Sequence, residues 1–282
     1  TGHTSSFKFT NKEDDINLVI STSKSENYKL YYQDIKDKDG LKTIFKNHKI
    51  DFIIHLAALA GVRPSIENPL DYEAVNIRGT QNLWELCKEF GIHKFIYASS
   101  SSVYGNSDKV PFSETDNVDR PISPYAATKK AGELLGHVYH HLYHIDMIHL
   151  RFFTVYGPRQ RPDLAIHKFT KLILDDDEIP FYGNGSTARD YTYIDDIIDG
   201  ILKSVLYLES RAKVFEIINL GENEVVTLSE MLSELEKALG KSANKKMLPM
   251  QAGDVLKTNA DITKAKTLIG YEPTTNFQNG IK

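Results

Sequence analysis

Tyr125 and Lys129 are the residues whose types and spacing most directly suggest chemistry. Four apart in a helix, two side chains share one face about a turn from each other. A tyrosine hydroxyl has a pKa of about 10 and is a poor base at neutral pH, but a neighbouring ammonium stabilises the phenolate and lowers that pKa. Such a pair can take a proton from an alcohol. Tyr32 and Lys36 share the spacing, so the spacing alone does not identify a site.

Four consecutive serines at 99–102 stand where a second part of such a site is expected. Serine is a common turn former, so a polar turn is the simpler interpretation of the run. The apolar segment before it reads as a parallel strand, however, and open α/β sheets bind ligands at the carboxyl ends of their strands. A helix that begins at Pro124 could bring Tyr125 to the same crevice.

The apolar pattern predicts an α/β protein with a doubly wound parallel sheet. Short β-rich runs alternate with helical patterns, and several runs are apolar on both faces, as strands covered by helices on each side are. The predicted strands are 16–21, 29–34, 51–58, 94–100, 145–152 and 216–221.

Helix boundaries are marked by capping signals. A helix over 70–91 ends at Gly91, and a helix over 123–144 begins with Ser123 as its cap and Pro124 in its first turn. A Thr-x-x-Glu capping box at 227–230 precedes a helix that Gly240 ends, and 260–270 repeats this design on a smaller scale. Glycine and proline are concentrated at 157–163 and 180–185, where we expect the chain to enter a smaller lobe.

Composition and charge exclude several classes of protein. The 282 residues are 41% hydrophobic and 26% charged, which is typical of a globular chain and disfavours disorder. A net charge of −4 argues against a protein that binds nucleic acid through its phosphates. No apolar run approaches the length of a membrane span, the first ten residues lack the core of a signal peptide, and Cys87 has no partner for a disulfide, so we expect a cytoplasmic protein.

The histidines of the 123–144 helix invite a metal-site interpretation. His137, His140, His141 and His144 include two pairs at i, i+4 spacing. With no convergent acidic partner in the sequence, a solvated or packing helix face is favoured, and we predict no metal.

Eight motifs occur in the order typical of extended short-chain dehydrogenase/reductases, and the sequence resembles that family from about residue 28 to its C-terminus. They are HLAALAGVRPS (55–65), VNIRGTQNL (75–83), YASSSSVYG (97–105), SPYAATKKAGE (123–133), LRFFTVYGPRQRPD (150–163), RDYTYIDDI (189–197), NLG (219–221) and PMQAGDVLKTNADITKA (249–265). Among the NAD-dependent epimerases and dehydratases of this family, the motifs look most like those of UDP-glucuronate 4-epimerases.

The resemblance implies a fold and a catalytic triad. The fold is a Rossmann-type doubly wound parallel sheet that binds NAD over 1–154, with 155–282 mainly a smaller substrate-binding lobe and 190–215 packing back on the sheet domain. In the triad, Tyr125 would be the acid/base, Lys129 would tune it and hold the nicotinamide ribose, and Ser100 would relay the sugar proton.

The resemblance also implies positions for the cofactor NAD and for a UDP-sugar. Asp34 and Ile35 would contact the adenine, and Ser99 would lie beside the nicotinamide. All positions that match cofactor contacts are Asp34, Ile35, Leu56, Ala57, Ala58, Asn76, Ser99, Tyr125 and Lys129. The positions assigned to the sugar, diphosphate or uridine are Arg63, Ser101, Ser102, Thr154, Arg161, Arg189 and Asp254. Guanidinium forks suit diphosphate and carboxylate oxygens, while a surface ion pair or a loop anchor is the simpler role of an isolated arginine.

Two features narrow the implied reaction to 4-epimerisation. Dehydratases and decarboxylating relatives carry an acidic residue in the motif before Val-Tyr-Gly, and here positions 100–102 are all serine. Thr154 stands where the hexose epimerases of the family usually have Asn, and hydroxyls at Ser101, Ser102 and Thr154 could bind a substrate carboxylate. The expected reaction therefore converts UDP-glucuronate to UDP-galacturonate.

The family's glycine-rich loop, G-x-x-G-x-x-G after the first strand, has no counterpart near the start of this sequence, where only Thr1-Gly2 remains. That loop lets the backbone approach the pyrophosphate. Either residues of the molecule lie outside the sequence or the cofactor site is incomplete, and we expect the former.

The sequence leaves several alternatives open. The chain could be a UDP-glucose 4-epimerase, a nucleotide-sugar dehydratase or decarboxylase, or a catalytically silent nucleotide-sugar binding protein. The sequence does not decide between NAD and NADP as the cofactor. The resemblance suggests a homodimer formed through the helices at 70–91 and 123–144, with no nucleic-acid or membrane partner.

Overall fold

The computed structural model describes residues 28–250 and 255–282, and the chain divides into two compact units, residues 1–34 and 35–282. The predicted strand at 16–21 lies outside the described residues. The predicted strand at 29–34 is wrong, because no strand is present over 28–34. A strand exists only where its backbone is bonded into a ladder, and a β-rich composition does not supply one.

The second unit contains all the helices and strands of the described residues. In chain order the strands are β1 Ile53–His55, β2 Lys94–Ser100, β3 Asp146–Phe152, β4 Thr154–Tyr156, β5 Glu178–Tyr182, β6 Ala188–Arg189, β7 Tyr191–Tyr193, β8 Phe215–Leu220, β9 Val226–Thr227 and β10 Asn244–Leu248. The helices are α1 Lys38–Asn47, α2 Val62–Glu67, α3 Pro69–Tyr72, α4 Thr80–Phe90, α5 Pro124–Tyr143, α6 Ala165–Leu174, α7 Ile194–Glu209, α8 Leu228–Leu239, α9 Thr263–Ile269 and α10 Phe277–Gly280.

A parallel sheet in the order β1-β2-β3-β8 forms the centre of the unit. Side chains alternate across it, as they must along a strand. Phe95 and Tyr97 pack on one face with residues of α1, α4 and α5, while Ile96 packs on the other face with residues of α7. Helices therefore cover both faces, and the prediction of a doubly wound α/β fold is confirmed.

Of the four predicted strands that fall in the central sheet, three match the structure closely and the first is shorter than predicted. The prediction of 94–100 is confirmed to the residue, and 145–152 and 216–221 are within one residue of β3 and β8. The strand predicted at 51–58 is only three residues long. In the loop that follows, Asn76 binds both backbone groups of Leu59 (Leu59 N to Asn76 Oδ1, 2.8 Å; Asn76 Nδ2 to Leu59 O, 3.0 Å).

The helix predicted at 70–91 is interrupted by a π-helical turn at Glu73–Gly79, between α3 and α4. Such turns are rare in proteins, and those that occur are often found at functional sites. Asn76 lies in this turn and is buried. The predicted end of the helix is confirmed, since Gly91 takes the left-handed conformation with a φ of 68°.

Helix α5 brings its side chains unusually close to the sheet. The Ser123 hydroxyl accepts a hydrogen bond from Ala126 N (3.1 Å), which confirms the predicted cap. Gly132 and Gly136 face the sheet, and a Cβ at either position would collide with Tyr97 or His149. The two glycines thus allow α5 to approach β2 and β3 closely enough for longer side chains beside them to reach the strand ends.

A further core lies among residues 156–281. It joins the parallel pair β5 and β10 to α6, α8 and α10 through side chains such as Ile173, Ile179 and Leu232. The predicted capping box of α8 is present and Gly240 ends the helix, as Gly270 ends α9. None of the helices of the described residues is long and apolar enough to cross a membrane.

Candidate active site

The serine turn, which we define as residues 99–104, follows directly from β2. Ser99 and Ser100 are the last residues of the strand, and Ser101–Tyr104 form one turn of 3₁₀ helix. The Ser100 hydroxyl caps this turn by accepting from Ser102 N (3.2 Å), and it also contacts Ser102 Oγ (3.2 Å). The predicted relay hydroxyl is therefore held at the carboxyl edge of the sheet.

Tyr125, in the first turn of α5, reaches the same edge. Its hydroxyl lies close enough to Ser100 for that residue to lower its pKa, and the ring of Tyr72 lies edge-on to its own at 6.2 Å between centroids. Burial raises the pKa of Tyr125 above its ordinary value, although Ser100 and the charge of Arg161 act in the opposite direction. This differs from the lowered pKa expected from the sequence, because burial outweighs the groups that favour the phenolate.

Lys129 lies one turn along α5 and is only 4% exposed. Its ammonium donates to the carbonyl of Ala98 in β2 (2.6 Å) and lies 6.0 Å from the centre of the Tyr125 ring. Burial lowers the pKa of Lys129 to about 8. Ser100, Tyr125 and Lys129 are thus brought together as predicted, with the lysine tied to the strand that carries the serine.

A buried ion pair lies behind the serine turn, and sequence reasoning missed it. Arg151 at the end of β3 donates to both oxygens of Glu133 on α5 (Nε to Oε1, 2.8 Å; Nη2 to Oε2, 2.9 Å). The Ser99 hydroxyl donates to the same Glu133 Oε1 (2.7 Å). Glu133 and Arg151 both belong to the family motifs at 123–133 and 150–163. The one signal of the pair in the sequence is the charge of Arg151 near the end of an otherwise apolar strand.

The predicted cofactor positions after β1 lie in a loop that Asn76 organises. Leu56 and Ala57 are exposed and Ala58 is half-buried. Asn76 binds the next residue, Leu59, and its amide also donates to the Thr128 hydroxyl on α5 (3.0 Å). This bond places the loop beside the helix that carries Tyr125 and Lys129.

Ile35 and Asp34, the predicted adenine contacts, fall on either side of the division between the two units. The carbonyl of Ile35 accepts from Asn82 Nδ2 (3.0 Å), and its side chain packs against Gly79. The prediction for Asp34, which belongs to the first unit, stays a prediction.

Arg161 is the predicted substrate residue that the structure places beside Tyr125. Its guanidinium binds Asp163 through two bonds (Nε to Oδ1, 2.9 Å; Nη2 to Oδ2, 2.6 Å) and donates to the carbonyl of Ala60 (3.2 Å). The Tyr72 hydroxyl donates to that same carbonyl (3.0 Å). Tyr72 and Asp163 are thus further residues of the site that sequence reasoning did not single out.

The remaining predicted substrate residues are more dispersed. Arg63 is exposed on α2, and Thr154 begins β4, where its N–H donates to Asp190 O (3.0 Å). Arg189 is half-buried in β6, and its guanidinium donates to the carbonyl of Ala188 (2.9 Å). Asp254 lies outside the described residues.

The histidines of α5 have packing and capping contacts. His140 Nδ1 contacts the carbonyl of Ile145 (2.9 Å), the His137 ring lies against Phe215, and His144 ends the helix in a left-handed conformation. In the described ranges, no group of three or more His, Cys, Asp or Glu side chains could hold a metal ion.

Known proteins with related sequences and structures identify the family of this chain. The family model described as GDP-mannose 4,6 dehydratase matches residues 3–282. A UDP-glucuronate 4-epimerase of Thermodesulfobacterium geofontis is 47% identical over 260 residues, which are 92% of this chain and 79% of that protein.

Two solved structures are similar throughout the fold. The UDP-glucuronic acid 4-epimerase of Bacillus cereus, in complex with UDP-glucuronic acid and NAD, has a TM-score of 0.86 and 41% identity, with 94% of this chain and 82% of that chain covered. The UDP-glucose 4-epimerase of Thermotoga maritima with UDP-glucose has a TM-score of 0.84 and 33% identity, with 93% and 86% covered. The chain belongs to the extended short-chain dehydrogenase/reductases, among the NAD-dependent epimerases and dehydratases of that family.

Proposed function

We propose that this protein is an NAD-dependent UDP-sugar 4-epimerase that converts UDP-glucuronate to UDP-galacturonate by oxidation and re-reduction at C4. One observation carries the proposal: Ser100, Tyr125 and Lys129 meet at the carboxyl edge of a parallel sheet, in a serine turn without a carboxylate at 100–102. The similarity to epimerases whose solved structures hold UDP-glucuronic acid and NAD supports the choice of substrate and cofactor.

Tyr125 is the group that moves the O4 proton. Its hydroxyl lies close to Ser100, whose own hydroxyl can accept and donate at the same time. Burial raises the pKa of Tyr125, so this side chain keeps its proton until a substrate hydroxyl or a nearby positive charge stabilises the phenolate. Lys129, fixed one helical turn away, is the cation placed to do so.

The residues of this edge fit the nicotinamide end of NAD. Lys129 is a buried donor at the end of β2, and the loop after β1 presents the small side chains of Ala57 and Ala58. We propose that Asn76, Ser99, Tyr125 and Lys129 hold this end of the cofactor. When bound, NAD supplies reversible acceptance of the C4 hydride.

The serine turn favours epimerisation over elimination. Loss of water or carbon dioxide requires an acid or base beside the sugar, and the carboxylate bonded to this turn, Glu133, already binds Arg151 and Ser99. These bonds direct the Glu133 carboxylate towards Arg151, behind the end of β2. The hydroxyls of Ser101, Ser102 and Thr154 are the proposed receptors of the substrate carboxylate, and Arg63, Arg161, Arg189 and Asp254 the proposed contacts of the remaining nucleotide sugar.

Product analysis with matched variants tests the proposal. The protein is incubated with UDP-glucuronate and NAD, and the products are separated by chromatography. We expect UDP-galacturonate from the wild type, and a fall in kcat of about 10²- to 10⁴-fold in Tyr125→Phe, because the acid/base hydroxyl is lost. Tyr139→Phe, which removes another hydroxyl of α5 bonded to Glu85, should retain the wild-type rate.

Other outcomes would replace the proposal. Conversion of UDP-glucose with no reaction of UDP-glucuronate would reassign the substrate to the hexose. Release of carbon dioxide, or a stable 4-keto-6-deoxy sugar, would make the protein a decarboxylase or a dehydratase. Binding of the UDP-sugar without any turnover in the presence of NAD would leave a binding protein.

We further propose the predicted organisation of the molecule. Residues 1–154 form the NAD-binding domain, 155–282 mainly the substrate lobe, and 190–215 return to the sheet, a division supported by the packing of α7 on β2 and β3 and by the separate core at 156–281. The buried free thiol of Cys87 supports a cytoplasmic location.

A homodimer formed through the helices predicted at 70–91 and 123–144, the second of which is α5, is the proposed assembly. Leu134, Val138 and Leu142 repeat every fourth residue on this helix and are 58%, 45% and 56% exposed. Val138→Arg should convert the dimer to a monomer in light scattering, while Leu202→Arg, on the equally exposed stripe of α7, should not. Dissociation by the second variant alone would move the interface to α7.

A further inference from the structure

Both ends of the serine turn are bonded to the same buried ion pair. At its start, the Ser99 hydroxyl donates to Glu133 Oε1 (2.7 Å). At its end, the Tyr104 hydroxyl accepts from Arg151 Nη1 (2.9 Å). Because Glu133 and Arg151 bind each other through two bonds, the segment between Ser99 and Tyr104, with Ser100 in it, has a single common anchor.

The anchor is sealed from solvent and stays charged. Each side chain of the pair is 1% exposed. Burial alone would raise the pKa of Glu133, but the hydrogen bonds and the charge of Arg151 bring it below its ordinary value. Glu133 is therefore an anion at every pH at which the enzyme works, and its bond to Ser99 is a charge-assisted one.

The Tyr104 end of the turn is fixed from a second side. Its hydroxyl donates to Asn219 Oδ1 at the end of β8 (2.7 Å), and its ring stacks on Phe112 at 4.6 Å. Asn219 in turn donates to the carbonyl of Phe112 (2.9 Å). The turn is thereby connected to β3, β8 and α5 at once, so it cannot move without breaking buried bonds.

We propose that Glu133 and Arg151 are positioning residues for catalysis, which hold the serine turn so that the Ser100 hydroxyl stays beside Tyr125. The inference rests on the proposed epimerase function, because it assigns Ser100 and Tyr125 to the proton transfer. Neither residue of the pair is a catalytic residue in this account, since each acts through the turn that it anchors.

Two variants weaken the anchor in different ways. Glu133→Gln removes the charge but keeps an oxygen that can accept from Ser99, and Tyr104→Phe removes only the hydroxyl while the ring keeps its stacking partner. We expect kcat to fall about 10- to 100-fold in each, with KM changed by less than about threefold, because a displaced relay slows the chemical step and leaves substrate binding alone. Tyr104→Phe keeps the test available if Glu133→Gln does not fold.

The dependence of kcat on pH separates positioning from mere support of the fold. Ser100 lowers the pKa of Tyr125, so a displaced Ser100 raises that pKa. The acidic limb of the kcat profile should therefore move to higher pH in both variants. A variant that is only less stable would keep the wild-type limb.

A pH titration of Tyr125 in the absence of substrate tests the inference independently of the proposed function. The phenolate absorbance of Tyr125 is obtained as the difference between each protein and its Tyr125→Phe counterpart, and we expect Tyr104→Phe to raise the midpoint. If the wild type proves inactive with UDP-glucuronate, the function fails while this shift still tests the anchor. If the wild type is active but both variants keep its kcat, its acidic limb and the Tyr125 midpoint, as Tyr139→Phe should, the inference is overturned. A rise in KM alone would also overturn it.

Discussion

The buried fork of Arg151 and Glu133 and the exposed fork of Arg161 and Asp163 have nearly the same geometry. In each, Nε and Nη2 of the arginine bind the two carboxylate oxygens, at 2.8 and 2.9 Å in the first and at 2.9 and 2.6 Å in the second. Their surroundings differ, because the side chains of the first are 1% exposed and those of the second 41% and 60%.

This difference in exposure indicates different roles. The buried pair is structural, and the exposed pair contains the arginine proposed to bind an anion of the substrate. Breaking a buried pair leaves an uncompensated charge in the interior, so the partners of the first fork cannot be exchanged. An exposed pair is worth little, so a substrate phosphate or carboxylate can take the place of Asp163 at little cost. The same interaction thus holds the serine turn in one place, and in the other it leaves Arg161 available for its proposed role in binding a substrate anion.

The largest expected effect is on stability, at the buried fork. Glu133→Gln should lower the free energy of unfolding by about 3–5 kcal/mol, because Arg151 keeps its charge in the interior without a counter-ion. Urea denaturation at neutral pH measures the loss. Asp163→Asn is the matched control and should cost less than about 1 kcal/mol. Equal losses in the two variants would remove the distinction between the forks.

Lys129 is a second buried cation, and its described bond is to a carbonyl instead of a carboxylate. Its pKa is lowered to about 8, so between about pH 8 and the ordinary lysine pKa near 10.5 the unfolded chain keeps a proton that the folded protein has lost. Stability from this group is therefore present above that window, is lost as the pH falls through about 8, and amounts to ~3 kcal/mol at most.

Lys129→Met should abolish this rise in stability with pH, along with activity. Denaturation of both proteins at about pH 7.5 and about pH 10 checks the expectation, since the wild type should gain stability relative to the variant. An identical change in both would show that Lys129 is not the group responsible.

A smaller effect, on substrate binding, is expected at the exposed fork. Arg161→Met should raise the KM for UDP-glucuronate about 10- to 100-fold through the loss of charge-assisted hydrogen bonds. The free energy of unfolding should change by less than about 1 kcal/mol. Arg211→Met, which removes an arginine stacked on Tyr207 in another part of the chain, is the control and should leave KM unchanged. A loss of stability without a change in KM would make Arg161 a structural residue.

The smallest effect, again on KM, is expected when the ion pair between Arg161 and Asp163 is removed. Asp163→Asn removes the carboxylate that competes with substrate, and KM should fall about two- to fivefold, the range that an exposed pair allows. Arg161 holds the pKa of Asp163 below its ordinary value, so Asp163 stays ionised and the decrease should be the same at about pH 6 and about pH 8. A rise in KM would show that Asp163 assists binding.

The sequence was sufficient where a local signal determines the structure. The run 94–100 is a strand to the residue, and Ser123, Gly91 and Gly240 cap their helices as expected. These signals depend only on neighbours in the chain. The spacing of Tyr125 and Lys129 drew attention to this pair, but the choice of Ser100 and the roles of the three residues came from the family resemblance.

Contacts between distant elements could not be predicted from spacing. Glu133 and Arg151 belong to different elements, and the order of residues does not show that α5 crosses β3 at this point. The glycines of α5 permit the close approach, but in the sequence they indicate only weak helix formation. The loop after β1 is bonded to Asn76, seventeen residues from the backbone it binds. The pKa of Tyr125 depends on burial, which the sequence does not supply.

The most direct test of the account follows the hydrogen at C4. UDP-glucuronate labelled with deuterium at C4 is converted by the wild-type protein in ordinary water with NAD, and the product is examined by mass spectrometry and NMR. Transient oxidation and re-reduction at this carbon predicts UDP-galacturonate that keeps its deuterium at C4. A product that has exchanged the label with water, or a labelled pentose accompanied by carbon dioxide, would contradict it.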